Sequence, residues 1–481
     1  MSKSKLVSSL FVVAFCVAAT IAASAQTLTT LCAFDFNHGR DPSSPLVQGP
    51  NGNLYGATFR GGSSDDGTVY EITPSGTLTS LDSFCRQIGC SGGANPNGQL
   101  ILGRDGNFYG LTSIGGANSD PNLCPFGCGT VYKITSGGSV TTLYNFCPQQ
   151  GCPDGYMPNG LVQGADGNFY GTTDPVSVSP CPTCIGTIFK LTPQGAFTTL
   201  HNFCSQTNCA DGQNPQPGLI QASNGNFYGT TFSGVIFEIT SAGNYSILYT
   251  FKYGSAYPGP LIEGSNGDLY GVTEFSGAYH FGSVFRITLD GKFFNLYSFC
   301  RQSGCPDGYA PAGWLVQGTD GNLYGTTSAG GANSNTNDCP NGCGTIFSLS
   351  PTGNFTNLYN FCSLASCADG ASPSSGLIQG TDGKLYGTTS FFEGTIFSFD
   401  MGLGPYIEAP TGFGNVGRQI GILGNNLSST TTVSFNGVPA TFQVLSDTLV
   451  RTTVPAGATT GTIQLTNSSG TLSTKVPFIV R

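Results

Sequence analysis

The chain has 481 residues, of which 9% are charged, 11% are aromatic and 71 are glycine, and its formal net charge at pH 7 is −9. A nucleic-acid partner would require a basic surface, as would attraction to anionic lipid, so this acidic balance argues against both. The many glycines and aromatic residues indicate numerous turns and ample apolar mass for a core.

The N-terminus has the pattern of an export signal. Two lysines precede an apolar run from Leu6 to Ile21, and small residues follow before Gln26. This order is typical of a secretory signal peptide, which we expect to occupy residues 1–25. A lipoprotein anchor at Cys16 is disfavoured because a large side chain precedes it. No later apolar run approaches the length of a membrane span, so the mature protein is predicted to be extracellular, on the cell surface or periplasmic.

A tyrosine-glycine pair recurs seven times in similar surroundings. Successive tyrosines lie between 42 (Tyr228 to Tyr270) and 62 (Tyr324 to Tyr386) residues apart, by subtraction. In every unit an Asn-Gly or Asp-Gly hairpin joins two strands, a variable loop leads to a third strand and a short turn leads to a fourth. Four strands without helical periodicity predict a propeller blade. The pairs begin at Tyr55, Tyr109, Tyr170, Tyr228, Tyr270, Tyr324 and Tyr386.

The two ends of the repeat predict how it closes. The region opens on a lone fourth strand, residues 28–34, and its last unit stops after a third strand, residues 394–399. If these two strands pair, residues 26–400 form a closed seven-bladed β-propeller without exposed sheet edges. The alternative is an open solenoid, which would leave both ends uncapped.

Cysteine spacing also indicates an oxidising compartment. Of the 18 cysteines, 17 remain once Cys16 leaves with the signal peptide, and 16 of these form eight local pairs. Local disulfides are the simplest interpretation in a secreted protein, and Cys32 is then a free thiol within a strand. The predicted pairs are Cys85/Cys90, Cys124/Cys128, Cys147/Cys152, Cys181/Cys184, Cys204/Cys209, Cys300/Cys305, Cys339/Cys343 and Cys362/Cys367.

Two other uses of these cysteines are considered. Zinc is the first, but the three histidines are scattered and no pair of C-x2-C knuckles occurs, so no metal site is predicted. The second is a redox centre at Cys181 and Cys184. That pair precedes a third strand, as the C-x3-C pairs do in two other units, which favours a structural loop disulfide.

Strand alternation places all eight pairs on one face. The loops after the second and fourth strands of a blade emerge on the same side, and these are the long, cysteine-bearing loops. Such a face is typical of a recognition surface, although the disulfides could serve loop stability alone. The stretch between Cys209 and Cys300 lacks cysteine and has short loops, which predicts a groove or reflects simple loop loss. Polar and aromatic residues expected at the rim of the cysteine-bearing face, where the channel opens, are the candidate binding residues: Asp154, Tyr156, Arg301, Asp307, Tyr309 and Trp314.

No motif for catalysis is found. The sequence lacks G-x-S-x-G, H-E-x-x-H and a Walker-type loop. The repeated Asp-Gly-Asn turns do not have the spacing of an EF-hand, and hairpin formation explains them without calcium. We therefore predict no catalytic residue, no metal and no cofactor.

A second domain follows the repeats. After a linker at residues 401–404 the Tyr-Gly pairs and cysteines stop, and residues 405–481 contain short threonine-rich strands. The phrases GILGNNL, VSFNGV and VPAG resemble the IPT/TIG immunoglobulin-like family. This resemblance implies a β-sandwich used in cell-surface and secreted proteins for spacing or protein contacts, and such a fold does not fix a function.

The repeat units resemble a known family as well. The phrase G-x-D-G-N-(F/L)-Y-G-T-T, followed by G-T-I-F and L-Y-x-F, is similar to the bacterial GloVer tandem repeat. The resemblance covers residues 28–400 and implies an exported protein, but it brings no activity with it.

We therefore predict an all-β protein, a closed seven-bladed propeller with a C-terminal immunoglobulin-like sandwich, that binds a protein or carbohydrate ligand through the cysteine-bearing face. One alternative is a propeller lyase or hydrolase acting on polysaccharide, which an asymmetric acidic cluster or a metal at the channel mouth would favour. Another is a passive structural or adhesion element, which a symmetric mouth would favour.

Overall fold

The computed structural model describes residues 26–42, 44–86, 89–174, 186–252, 256–335 and 339–481. The predicted signal peptide and the predicted Cys181/Cys184 pair lie outside these described residues. Apart from three single-turn 3-10 helices, Thr207–Cys209, Ala365–Cys367 and Leu427–Ser429, the described chain is built of strands and connections. Within the described ranges, no helix has the length and apolar character needed to cross a bilayer.

Residues 27–400 form seven four-stranded antiparallel sheets, which we number one to seven along the chain. Sheets one to three contain β2 (Val47–Gln48), β3 (Leu54–Thr58), β4 (Thr68–Ile72) and β5 (Leu78–Ser83); β6 (Ala94–Leu102), β7 (Phe108–Ile114), β8 (Thr130–Ile134) and β9 (Val140–Asn145); β10 (Pro158–Gln163), β11 (Phe169–Thr173), β12 (Thr187–Leu191) and β13 (Phe197–Asn202).

Sheets four to six repeat the same meander order. They contain β14 (Ile220–Gln221), β15 (Phe227–Thr230), β16 (Val235–Ile239) and β17 (Tyr245–Thr250); β18 (Ile262–Glu263), β19 (Leu269–Thr273), β20 (Ser283–Ile287) and β21 (Phe293–Ser298); β22 (Tyr309–Gln317), β23 (Leu323–Ala329), β24 (Thr345–Leu349) and β25 (Phe355–Asn360).

Sheet seven joins the two ends of the repeat region. It contains β26 (Ile378–Gln379), β27 (Leu385–Thr389) and β28 (Thr395–Asp400), and its fourth strand is β1 (Thr27–Ala33). Strands β1 and β28 are antiparallel, with Thr27 opposite Asp400 and Thr30 opposite Phe397. The strand pairing expected from the sequence is therefore present.

The repeated Tyr-Gly pair has a packing explanation. In sheet three, Gly171 lies opposite Phe189 of the neighbouring strand, and a Cβ on Gly171 would approach the Phe189 ring to 2.4 Å. Only glycine leaves room for that buried ring. The tyrosine beside it, Tyr170, stacks on Phe227 of the next sheet with ring centroids 4.0 Å apart. One dipeptide therefore organises packing both within a sheet and between sheets.

The same tyrosines fix the hairpins. The Tyr109 hydroxyl donates to Asp105 at 2.9 Å, and Tyr170 and Tyr386 donate to the equivalent aspartates, Asp166 and Asp382, at 2.7 Å. Where the turn has asparagine, its amide donates to the tyrosine oxygen instead, as Asn224 does to Tyr228 at 2.8 Å. The Asp-Gly-Asn turns thus have a structural role, which agrees with the hairpin interpretation.

Neighbouring sheets are joined by a recurring hydrogen bond, which we call the inter-sheet link. A backbone N–H in the first hairpin of one sheet donates to the side-chain oxygen of a Gln or Glu in the first strand of the next sheet. Six such links occur, at 2.7 to 3.2 Å: Arg104 to Gln163, Ala165 to Gln221, Ser223 to Glu263, Ser265 to Gln317, Thr319 to Gln379 and Thr381 to Gln48.

The junction between sheets one and two lacks this link. The residue at the donor position is Pro50, which has no N–H, and the residue at the acceptor position is Leu102, which has no polar atom. Donor and acceptor are thus both missing at the same junction, so neither polar partner is left unsatisfied.

The C-terminal domain is a small β-sandwich. One sheet contains β30 (Gln419–Leu423), β33 (Phe442–Ser446) and β34 (Leu449–Thr453), and the other contains β31 (Thr432–Phe435), β32 (Val438–Pro439), β35 (Ile463–Asn467) and β36 (Gly470–Ser473). A short parallel pair, β29 (Phe413–Gly414) and β37 (Ile479–Val480), closes one side. Ile422, Leu427 and Ile463 are completely buried between these layers.

This domain rests on the hairpin side of the repeat region. The Tyr406 hydroxyl donates to the Gln379 carbonyl at 2.6 Å, and the Asn425 amide donates to the Thr381 hydroxyl at 2.8 Å. At sheet one, the Thr448 hydroxyl donates to the Pro50 carbonyl at 2.7 Å. These contacts lie on the side opposite to the loops after the second and fourth strands.

Candidate functional site

The loops that follow the second and fourth strands of the seven sheets form one face, which we call the stapled face. Within the residues that the structure describes, seven disulfides lie in these loops. They join Cys85 to Cys90, Cys124 to Cys128, Cys147 to Cys152, Cys204 to Cys209, Cys300 to Cys305, Cys339 to Cys343 and Cys362 to Cys367. Cys32, in β1, is the free cysteine of the described chain.

In sheets two and six, two disulfides lie side by side. The sulfur atoms of Cys124 and Cys152 are 3.9 Å apart although they belong to different disulfides. All four sulfurs of each cluster lie within 4.8 Å of one another. The long loop after the second strand is therefore packed against the loop after the fourth strand. This contact restricts the conformations of both loops on the stapled face.

Two predicted binding residues, Asp154 and Tyr156, are buried. The Asp154 carboxylate is 6% exposed and accepts hydrogen bonds from the Tyr144 hydroxyl at 2.8 Å and the Cys147 N–H at 3.0 Å. Burial raises the pKa of Asp154 despite these bonds. Tyr156 is 2% exposed, and burial raises its pKa. The expectation that Tyr156 is exposed at the rim is wrong because its ring is part of the core beneath the loop.

The Asp154 arrangement recurs in other sheets and is a structural motif. An aromatic side chain of the fourth strand contacts the aspartate that follows the cysteine loop, and the same aspartate caps backbone N–H groups of that loop. The pairs are Tyr144 with Asp154, His201 with Asp211, Tyr297 with Asp307 and Tyr359 with Asp369, at 2.7 to 3.2 Å. This is the turn chemistry that repeated Asp-Gly pairs favour.

The other predicted binding residues differ in how exposed they are. Arg301 is exposed, with its guanidinium carbon 4.2 Å from the centre of the Tyr297 ring. Tyr309 is half-buried, with its ring centroid 5.5 Å from that of Phe281. Trp314 lies on β22, and its indole packs so closely on Gly218 that a Cβ there would lie 3.0 Å from the ring. Packing between sheets therefore accounts for Trp314.

Exposed aromatic side chains gather on the stapled face, a feature that the sequence reasoning missed. The loops of this face contribute Phe36, Phe126, Phe232, Phe275, Tyr279, Phe281, Leu364 and Phe392 to the large apolar side chains that are more than a third exposed. Large exposed apolar side chains grouped on one face indicate an interaction surface. These exposed side chains could have been predicted from the sequence, because aromatic residues occur within the loops as well as in the strands.

Aromatic side chains of the loops of sheets four to six, most of them from this exposed set, are together called the aromatic platform. It contains Phe232, Tyr257, Phe275, Tyr279, Phe281 and Tyr309. Ring centroids of Phe232 and Tyr257 are 4.0 Å apart, and those of Tyr257 and Phe275 are 5.3 Å apart. All of these residues except Tyr309 lie in the stretch between Cys209 and Cys300 that lacks cysteine, and Tyr309 follows Cys305.

A cavity of about 250 Å³ adjoins the platform. Its wall contains Phe275 together with the polar groups of Lys252, His280 and Asn295. Aromatic surface beside a few hydrogen-bonding groups is the usual composition of a small-molecule or sugar site.

These features define an all-β, propeller-like repeat protein with an immunoglobulin-like C-terminal domain. The chain belongs to the Gloeobacter/Verrucomicrobia repeat family, whose model matches residues 17–234, 121–335 and 232–409. Residues 405–480 match the IPT/TIG domain. Both resemblances noted from the sequence are thereby confirmed. Among curated protein sequences, none matches this chain.

Solved structures with a similar fold have low sequence identity. A streptogramin B lyase is 16% identical with a TM-score of 0.54, covering 78% of this chain and 97% of the lyase. A virginiamycin B lyase from Staphylococcus aureus is 14% identical with a TM-score of 0.53, covering 78% of this chain and 99% of its own. An extracellular domain from B. thetaiotaomicron is 11% identical with a TM-score of 0.52, covering 95% of this chain and 59% of its own. At such identities the likeness shows the fold alone.

Proposed function

We propose that the chain is an exported binding protein whose seven sheets form a closed seven-bladed propeller over residues 26–400, with residues 405–481 as a separate IPT/TIG domain. The pairing of β1 with β28 and the link from Thr381 to Gln48 support closure. The seven disulfides support export, since such bonds persist in oxidising compartments. The destination, whether extracellular, cell-surface or periplasmic, follows from the predicted signal peptide at residues 1–25.

The ligand binds on the stapled face, and the aromatic platform is the observation that supports this. Exposed rings such as Phe275, Tyr279 and Phe281 offer flat apolar surface, while His280 and Asn295 offer hydrogen bonds beside it. A sugar ring has an apolar face and a polar edge and fits this arrangement. A glycan is therefore the favoured ligand over a protein.

Binding of the chain that begins at Gln26 to a glycan array tests this proposal. The double variant Tyr279→Ala/Phe281→Ala should lose affinity by about tenfold or more, since aromatic stacking contributes about 1 kcal/mol per ring. Phe126→Ala is the matched control, because Phe126 is an exposed ring of the same face, in sheet two, outside the platform.

Three outcomes would contradict parts of the proposal. An array without any bound glycan would contradict the glycan assignment and leave a protein ligand. Equal loss in Phe126→Ala and in the platform variant would contradict the position of the site. Loss of binding after changes in the Asp-Gly-Asn hairpins, with the fold preserved, would contradict the choice of face.

A further inference from the structure

A second cavity lies on the opposite side of the molecule, between the repeat region and the IPT/TIG domain. Its volume is about 390 Å³, within the range of pockets that hold small organic ligands. Pro50 and Leu102 form part of its wall on the repeat side, at the one junction that lacks an inter-sheet link. Leu445 and Leu449 form part of the wall on the IPT/TIG side.

Three arginine residues line this cavity. Arg104 comes from the first hairpin of sheet two, and Arg418 and Arg451 come from the IPT/TIG domain. None of the three forms an ion pair within the described ranges. The carboxylate in the wall, Asp105, is already bound by the Lys133 ammonium at 2.8 Å. The cavity therefore has an excess of positive charge in a protein whose net charge is −9.

Two residues of the wall have unused hydrogen-bonding capacity. Arg104 donates through Nη2 to the Gly164 carbonyl at 3.0 Å, but its Nη1 is buried without a partner in the described chain. The Thr411 hydroxyl is likewise buried without a partner there. Both atoms lie beneath the accessible surface of the wall, so Arg418 and Arg451, which are exposed, are the arginines able to reach a ligand in the cavity. Burial, together with the charge of nearby Arg418, lowers the pKa of Arg104 to about 10, still above neutral pH, so the group stays cationic.

The rest of the wall is apolar. Leu102 stands where five other sheets have glutamine and one has glutamate, and Ile420, Leu445 and Leu449 face it from the IPT/TIG domain. Water alone would hydrate the guanidinium groups, but it would leave this apolar surface without favourable contacts.

We propose that this interdomain cavity binds a small organic acid, a single carboxylate on a hydrocarbon body, with Arg418 and Arg451 around the carboxylate and the leucines around the hydrocarbon. Guanidinium groups match the planar carboxylate and form charge-assisted hydrogen bonds with it. The site is distinct from the stapled face, because it lies on the hairpin side and includes both domains.

Titration of the chain beginning at Gln26 with octanoate, 1-octanol and octylammonium tests this site by calorimetry. Octanoate should bind saturably with one site per chain, and the other two probes, which share its hydrocarbon body, should bind at least about tenfold more weakly because a charge-assisted bond is missing. Arg418→Gln and Arg451→Gln should each weaken octanoate binding by about tenfold for the same reason. Arg60→Gln, an exposed arginine paired with Asp41, is the matched control and should change nothing.

Thermal melting without ligand shows whether each variant is folded. Because Arg418 and Arg451 are exposed, both variants should melt as the parent does. Equal affinity for octanoate and octanol, binding without saturation, or octanoate binding that is the same in the parent, Arg418→Gln and Arg451→Gln would each overturn the proposal.

Discussion

Thr381 donates its backbone N–H to the side-chain oxygen of Gln48 at 2.9 Å, across 333 residues of sequence. Thr381 belongs to the first hairpin of sheet seven and Gln48 to the first strand of sheet one. The same contact joins the other consecutive sheets except sheets one and two, so the last sheet contacts the first as most sheets contact their successors. This equivalence is what a ring requires and what an open array would lack.

Replacement of Gln48 tests the contribution of that link. Gln48→Leu leaves the Thr381 N–H without an acceptor, and we expect the free energy of unfolding to fall by about 1–2 kcal/mol. Chemical denaturation measures the change. Gln302→Leu, at an exposed loop position, is the control. Equal stability of the two variants would mean that the link contributes nothing.

Asp154 is predicted to act in stability and not in binding. Asp154→Ala leaves the Tyr144 hydroxyl and the Cys147 N–H unsatisfied beneath the loop, which should cost about 2 kcal/mol. Glycan affinity should stay within about twofold, since the carboxylate is not exposed to ligand. Asp290→Ala, in an exposed turn, should alter neither quantity. Lost affinity with unchanged stability would instead make Asp154 a ligand-binding residue.

Asp174 should make stability depend on pH. Burial raises its pKa from 3.8 to about 6, although the Asn214 amide donates to the carboxylate at 2.9 Å. Because the folded pKa lies above the unfolded one, the folded state holds the proton more tightly, and stability falls as pH rises from about 4 through 6. Asp174→Asn removes the buried charge.

At pH 7.5 the Asp174→Asn variant should be more stable than the parent by about 3 kcal/mol, and the gain should nearly vanish at pH 4. Urea unfolding at both pH values measures it. A gain that is equal at the two pH values would show that the charge of Asp174 is not its cause.

The mature protein should contain one thiol. Thiol titration of the denatured, unreduced chain should count Cys32 alone, and three or more thiols would contradict one or more predicted disulfides. In the native protein this thiol should react slowly near neutral pH. Burial, and secondly the charge of Asp35, raise the pKa of Cys32, so little of the reactive thiolate is present.

The repeat architecture could be predicted from the sequence because its determinants are local. The Tyr-Gly pair, the Asp-Gly or Asn-Gly turn four residues before it and the strands around them lie within one unit. The pairing of β1 with β28 is non-local. It could still be predicted because the repeat region begins with a lone fourth strand and its last unit lacks one. The docking of the IPT/TIG domain on the hairpin side could not be predicted in this way. Contacts such as that of Thr448 with Pro50 involve residues that belong to no recognisable motif.

The site was harder to predict, for a physical reason. Tyr156 and Tyr309 occupy similar places in the repeat, but one is buried in the core and the other is half-exposed, so position in the repeat does not determine burial. The aromatic platform depends on the approach of loops from three sheets, as in the 4.0 Å contact between Phe232 and Tyr257. Residue type and spacing within one unit do not determine such a contact.

Closure of the ring is tested most directly by removing the strand that completes sheet seven. A chain without residues 26–36 exposes the edge of β28, and we expect aggregation or a large fall in the melting temperature, measured by light scattering and calorimetry. A synthetic peptide of residues 26–36, added in trans, should restore part of the loss. A truncated chain that stays monomeric and melts at the parent temperature would contradict the closed ring.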